Sequence, residues 1–200
     1  MLVDDRLFRQ SMFVTFYYTL GSVPLTMIVA FFVAILLNQK VKGLAILRTI
    51  FYLPVLVPSV ASAMLWLWIF NPDFGLFNAG LQALGLPGLQ WLYSESTSVP
   101  SLILMSSWGM GNAMIIFLAG LQGVPRQLYE AIDVDGGNAL HKLTYVTIPL
   151  MTPVIFFNMI MALINTFQVF NEAYIMTGGG PNNSTLFYVF LLIQTGLPTK

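Results

Sequence analysis

The sequence predicts an all-α integral membrane bundle, and three observations carry that prediction. Charged residues are 8% of the 200, against roughly 25% in soluble domains, so polar surface is too scarce to face water. Apolar residues gather in runs of about 20, the length a helix needs to cross ~30 Å of hydrocarbon. The bases are also unevenly placed: five of the eight fall in two alternate loops. A net charge of zero leaves no nucleic-acid footprint. Cysteine is absent, which removes disulfides, thiolate chemistry and cysteine zinc sites. The opening "MLVDDRLFRQ" places acids where a signal peptide needs a basic patch.

Taken in order, the first span is predicted over about Met12–Leu37. The second, "IFYLPVLVPSVASAMLWLWIF", covers Ile50–Phe70; Pro54 and Pro58 bend it, and aromatics flank both ends as interface belts do. The third runs about Pro100–Leu121 and the fourth about Ile148–Phe170. A fifth run, "TLFYVFLLIQTGL", has about 13 residues, too few to cross as a helix, and reads as a partial or interfacial span. The expected fold is a single transmembrane domain, residues 1–200, with four complete spans plus a partial one.

Between the spans, the loop Asn38–Thr49 carries Lys40, Lys42 and Arg48, and the loop after the third span carries Arg126 and Lys142. Asn71–Val99 carries Asp73 and Glu95, and Asn171–Ser184 carries Glu172, neither with a base. The positive-inside rule puts the two basic loops in the cytoplasm. Arg6 and Arg9 then lie outside, offset by Asp4 and Asp5.

The stretch "VPRQLYEAIDVDGGNALHKLTYVTIPLMTP", Val124 to Pro153, is the most polar long run in the chain and holds the single histidine. Pro125 suits a first helical position, where its missing N–H costs nothing. "RQLYEAIDVD" follows, and Gly136-Gly137 offers a left-handed stop. Asn138 can cap a second helix, "ALHKLTYVT", with Leu140, Leu143 and Val146 at helical spacing, before Pro149 re-enters the membrane. A solvated linker seldom needs two fixed helices and a double-glycine stop. A docking element for a cytoplasmic partner accounts for all three features.

Glu130-Ala131-Ile132, Asp135-Gly136-Gly137 and Thr147-Ile148-Pro149 resemble the "EAA…DGA…LP" signature of permease subunits in binding-protein-dependent ABC importers. Ile132 and Gly137 depart from it, since the family usually has alanine at the first and often at the second. "ILLNQKVKGLAILRTIFYLP", "IFLAGLQGVPRQLYEA" and "FNEAYIMTGGGPNNST" agree as well, and the last is similar to the carbohydrate-uptake branch of maltose and glycerol-phosphate permeases. The resemblance implies a type I importer permease fold, with the loop at about 122–148 coupling to an ATPase. Glu130, Ala131, Asp135 and Gly136 carry over as its contact and geometry positions. It also implies the partners: cytoplasmic ATP-binding subunits, a second permease subunit, an external solute-binding protein and the lipid of a bacterial or archaeal inner membrane. ATP and Mg would sit on the ATPase, with no cofactor on this chain. Family members have a further span ahead of this region and a full last one after it. Residues 1–200 are therefore expected to be incomplete and inactive alone, with the Phe13–Phe16 and Phe187–Phe190 regions short of neighbours.

The residues themselves are consistent with transport rather than catalysis. No G-x-x-x-x-G-K-[ST] phosphate loop exists, and "TGGGP" reads as a tight turn. His141 has no companion ligands for a metal, and "SSWGMGN" lacks a base to pair with its serines. Polar residues inside spans mark either helix contacts or a solute path. Asn158, Asn165 and Glu172 recur every seven residues, within about 40° of one helix face, with Gln168 nearby. Trp108 and Asn112 also share a face, as a sugar-contact pair or as packing. Ser59-Ala63 and Ser107-Gly111 read as close helix contacts. The alternative is an ion-gradient-driven secondary transporter, which the lack of ionisable residues deep in the four spans disfavours.

Overall fold

The computed structural model describes residues 5–39 and 43–196, so Asp4, Lys40 and Lys42 lie outside the described residues. Among those described, every regular element is a helix or helical turn, without a strand. Helix α1 (Arg6–Leu37) starts on Asp5, whose Oδ1 accepts from the Leu7 N–H at 2.9 Å. It is the central post of the bundle, touching the helices α5, α6, α9 and α10 introduced below. Small residues permit that: Ala30 and Ala34 are fully buried, and a Cβ on Gly21 would come within 2.5 Å of Ile103. Buried hydroxyls satisfy themselves locally, Ser11 donating to the Phe8 carbonyl and Thr15 to that of Ser11. Thr15 Oγ1 also accepts the Tyr188 N–H at 3.0 Å, which ties α1 to the start of α10.

The second span bends at its prolines, as the sequence predicts, but begins earlier, at Leu44. Helix α2 (Leu44–Tyr52) continues as a 3₁₀ turn through Leu53–Leu56, and α3 (Ser59–Ile69) leaves it at 100°. The cause lies in the prolines: Pro58 holds itself and Val57 extended, ψ 141° and 125°, so the helix cannot continue. The third span is also broken. Helix α5 (Ser98–Ser106), a short 3₁₀ turn and α6 (Gly111–Gln122) meet at 47°. Gly111 sits at that bend, where a Cβ would come within 3.1 Å of the Phe51 carbonyl, so α6 presses directly on α2. Among the described residues, two helices are long and apolar enough to cross a membrane, or up to four if each bent pair counts as one span.

Between α3 and α5, the expected polar loop is a folded cap containing α4 (Leu76–Ala83). Asn78 is 2% exposed and saturated: its Nδ2 donates to the Pro72 and Leu89 carbonyls, and its Oδ1 accepts from Leu89 N and Trp91 Nε1. Trp91 then packs on Phe70 and Phe77, and both of those on Trp66.

After α6 come α7 (Arg126–Val134), α8 (Ala139–Lys142), a π turn at Leu143–Thr147 and α9 (Ile148–Phe167). The wide turn immediately precedes Pro149, which cannot donate to the turn before it. A second π turn, Ala173–Thr177, leads into the glycine turn. Gly178 and Gly179 take φ of 57° and 86° there, and Thr185 bonds both Thr177 and the Gly180 carbonyl. Helix α10 (Tyr188–Gly196) then packs on α1. Phe187 and Phe190 are buried, Phe187 edge-on to Tyr18 at 5.1 Å, so that region does not lack neighbours; Phe13 remains 71% exposed.

Two core clusters divide the bundle. One joins α1 to the cap and α10 through Tyr18, Trp66, Leu102 and Phe187; the other joins α1, α6 and α9 through Ala34, Phe117, Leu121 and Met151. The cap and the glycine turn share one end, linked by Ser98 and Ser184 at 2.9 Å. Gln10 donates to the Asn183 carbonyl at that same end. Arg48 donates to the Leu37 carbonyl at the opposite end, beside the α7 loop.

Candidate functional site

Helix α7 stands off the bundle by one face. Tyr129 and Ile132 are half-buried against the second core cluster, whereas Gln127, Glu130, Ala131 and Val134 point to solvent. Pro125 is the residue before the helix rather than its first member, with an extended ψ of 129°. Its missing N–H is still harmless there. The stop is built as the glycines suggested: Gly136 takes φ 74°, Gly137 N donates to the Ile132 carbonyl at 2.8 Å, and Gly136 N to that of Asp133 at 3.1 Å. Asn138 caps α8 by accepting from His141 N, and His141 Nδ1 accepts in return from Asn138 N. His141 is thus a capping residue, a role hidden in the sequence because the usual partner there is Glu or Gln. Val146 is buried but Leu140 is 64% exposed, because the π turn inserts a residue between them and rotates the face.

The loop is fixed to the bundle by Tyr129, whose hydroxyl lies 3.0 Å from Thr147 Oγ1. The Lys142–Asp133 ion pair, 2.6 Å, closes the turn between α7 and α8. Both members are partly exposed, so the pair contributes about 0–1 kcal/mol at most. Around the fixed frame, Glu130, Ala131, Asp135 and Gly136 are all exposed. Val134 is 87% exposed and Tyr145 73%. Apolar side chains at that exposure, mixed with acids, form a surface suited to a protein rather than to water alone.

The second candidate is a cavity of about 840 Å³ within the bundle, inside the ~300–1,000 Å³ range of ligand pockets. Trp108 and Asn112 line it from the bent third span, and Asn158 and Asn165 from α9. Asn158 is buried and donates to the Val154 carbonyl at 3.3 Å, leaving its carbonyl oxygen free to face the cavity. Trp108 is held edge-on against Trp66 at 5.9 Å, so the cap's aromatic stack reaches the cavity wall. Gln168 lies off the lining, exposed at the end of α9, where its N–H donates to the Asn165 carbonyl.

Sequence reasoning missed the α1 contribution. Tyr18, Ser22 and Thr26 line the cavity from one face of α1, and Thr26 Oγ1 lies 3.3 Å from Ser106 Oγ. Their spacing of four was the available signal, and it is weak because a helix can satisfy its own serines and threonines. Glu172, in a loop by the span boundaries but spaced by sevens from Asn158 and Asn165, lines the cavity with them as that spacing suggested. Among the described residues, no group of three or more His, Cys, Asp or Glu could hold a metal.

Residues 22–198 match the family described as the binding-protein-dependent transport system inner membrane component. The chain is 42% identical over 198 residues to YesP of Bacillus subtilis, named as a probable ABC transporter permease protein, covering 97% of this chain and 64% of that one. It is 35% identical over 185 residues to MalF of Thermococcus litoralis, a trehalose/maltose transport system permease, covering 92% and 63%. The chain therefore spans a little under two thirds of these relatives' length. The fold matches a bacterial alginate ABC transporter crystallised with an alginate-bound periplasmic protein, TM-score 0.83 at 22% identity, over 98% of this chain and 70% of that one.

Proposed function

The chain belongs to the binding-protein-dependent transport system inner membrane component family, and from that membership we propose that it is a permease subunit of an ATP-driven importer for a sugar or sugar-like solute. The observation that carries the reading is α7, a helix with one face anchored and the other offered to a partner. A cytoplasmic ATPase that closes on ATP would move α7, and Tyr129–Thr147 would pass that motion through the π turn into α9. Helix α9 carries Asn158 and Asn165 on the cavity wall, so displacement there changes the path itself. Glu130, Ala131, Asp135 and Gly136 form the docking surface. Trp108, Asn112, Asn158 and Asn165 contact the solute, an aromatic plane and amides being the usual chemistry for a hydroxylated ring. Gln168, off the lining, is given no contact role.

An external solute-binding protein delivers the cargo, and a second permease subunit completes the path. ATP and Mg bind to the ATPase, and this chain hydrolyses nothing. The trehalose/maltose relative supports a saccharide cargo. The test uses the full-length protein, expressed with its neighbouring subunits and purified in mild detergent. An ATPase subunit should co-purify, in a Glu130-dependent manner, and uptake should follow ATP. Uptake that survives ATP depletion but collapses with an ionophore would instead establish the ion-gradient alternative.

A further inference from the structure

The cavity lining carries charge of one sign. Among the described residues, Glu172 is its only acid, and no Lys, Arg or His reaches it. Tyr18, Ser22 and Thr26 stand four apart on α1, sharing one face, and Tyr18 sits among Ser22, Ser106 and Glu172. Ser22 is 1% exposed and its Oγ is shut off from the cavity, so the polar groups α1 offers there are those of Tyr18 and Thr26.

We propose that Glu172, with Tyr18 and Thr26 of α1, makes this cavity a filter that accepts uncharged, hydroxyl-rich solutes and turns away acidic ones. The proposal rests on reading the cavity as the solute path. A sugar diol can donate to the Glu172 carboxylate while accepting from Tyr18 or Thr26 on the same lining. A uronate or phosphate would meet Glu172 as a like charge, with no cation among the described lining residues of this chain to offset it. That repulsion grows as water is excluded. The fold by itself does not set this preference, since an importer of the acidic polysaccharide alginate shares it. The lining must.

The chain has no cysteine, so a single thiol can be placed at Asn112, an exposed position on the lining. In the full-length complex, otherwise cysteine-free, two probes are compared: the cationic 2-aminoethyl and the anionic 2-sulfonatoethyl methanethiosulfonate. Each labelling rate is divided by that probe's rate on free cysteine. The expected result is a cation preference of about tenfold, shrinking as salt rises, kept in Glu172→Asp and lost in Glu172→Gln. Absence of a salt-sensitive preference in the parent overturns the filter and leaves the solute path standing, even if Glu172→Gln fails to assemble. A preference unchanged in an assembled Glu172→Gln complex does the same. A thiol at Asn112 that neither probe reaches in any nucleotide state removes the path, and the filter with it.

Discussion

Ile132 and Gly137 form one packing unit, although in the sequence they stand as two separate departures from a family pattern. A Cβ placed on Gly137 would collide with Ile132 Cγ2 and lie 3.1 Å from the Ile132 carbonyl oxygen. The branched side chain therefore occupies the space that alanine would need, and glycine at 137 compensates for isoleucine at 132. Gly137→Ala alone should cost about 1–3 kcal/mol of local stability through overpacking and reduce ATP-driven uptake several-fold. Adding Ile132→Ala should recover most of that loss, since the remaining 3.1 Å approach needs only a small shift. A double-mutant cycle on uptake measures the coupling. A double variant no better than Gly137→Ala would show that the two positions act independently. Asn78 shows the opposite limit of legibility. Its partners sit at 72, 89 and 91, at no helical or strand spacing, so nothing local in the sequence marks it as the hub of the cap.

Elements were legible where their signals are local. Apolar length announced α1 and α9, and Gly136-Gly137 announced the end of α7. The prolines announced a bend after α2 but not its angle, because a proline limits the preceding residue's backbone without fixing which neighbour the next helix meets. The π turn at Leu143–Thr147 left no trace, since one inserted residue in a five-residue stretch is too short to alter a periodic pattern. The strongest element-scale prediction concerns the stop. Gly136 has φ 74° with open space around it, so the objection to a side chain there is conformational and not steric crowding. Gly136→Val should cost at least ~1 kcal/mol, as a β-branched residue in a left-handed conformation. It should misdirect α8 relative to α7 and uncouple ATP hydrolysis from uptake, while the spans still insert and the protein still reaches the membrane. Gly136→Asn, which tolerates that conformation better, should retain most of the uptake. Equal, normal uptake in both variants would mean that the turn does not transmit the motion.

At the scale of the molecule, the polar side chains in α9 and the third span were legible because amides stand out in an apolar run. Glu172 was legible by its seven-residue spacing from Asn158 and Asn165, whereas the α1 hydroxyls were not, since their meaning depends on which faces meet across the bundle. Topology offers the sharpest whole-molecule test. Gln10, the cap and the glycine turn gather at one end, and α7 with Arg48 gathers at the other. The segment holding Arg6 and Arg9 is therefore at the cap end, as the alternation of loops required. Counted by bases alone, the α7 end holds Arg48, Arg126 and Lys142, joined in the sequence by Lys40 and Lys42, against Arg6 and Arg9 at the cap end. The positive-inside rule counts bases and largely ignores acids, so it places the α7 end in the cytoplasm despite Glu130, Asp133 and Asp135. Single cysteines at Glu95, exposed on the cap, and at Arg126, exposed at the start of α7, test this directly. With an impermeant thiol reagent, the thiol at 95 should label in intact cells or spheroplasts and the one at 126 only in inverted vesicles. Labelling of both from one side would contradict the two-ended arrangement, and the reverse pattern would invert the orientation and remove α7 from reach of a cytoplasmic ATPase.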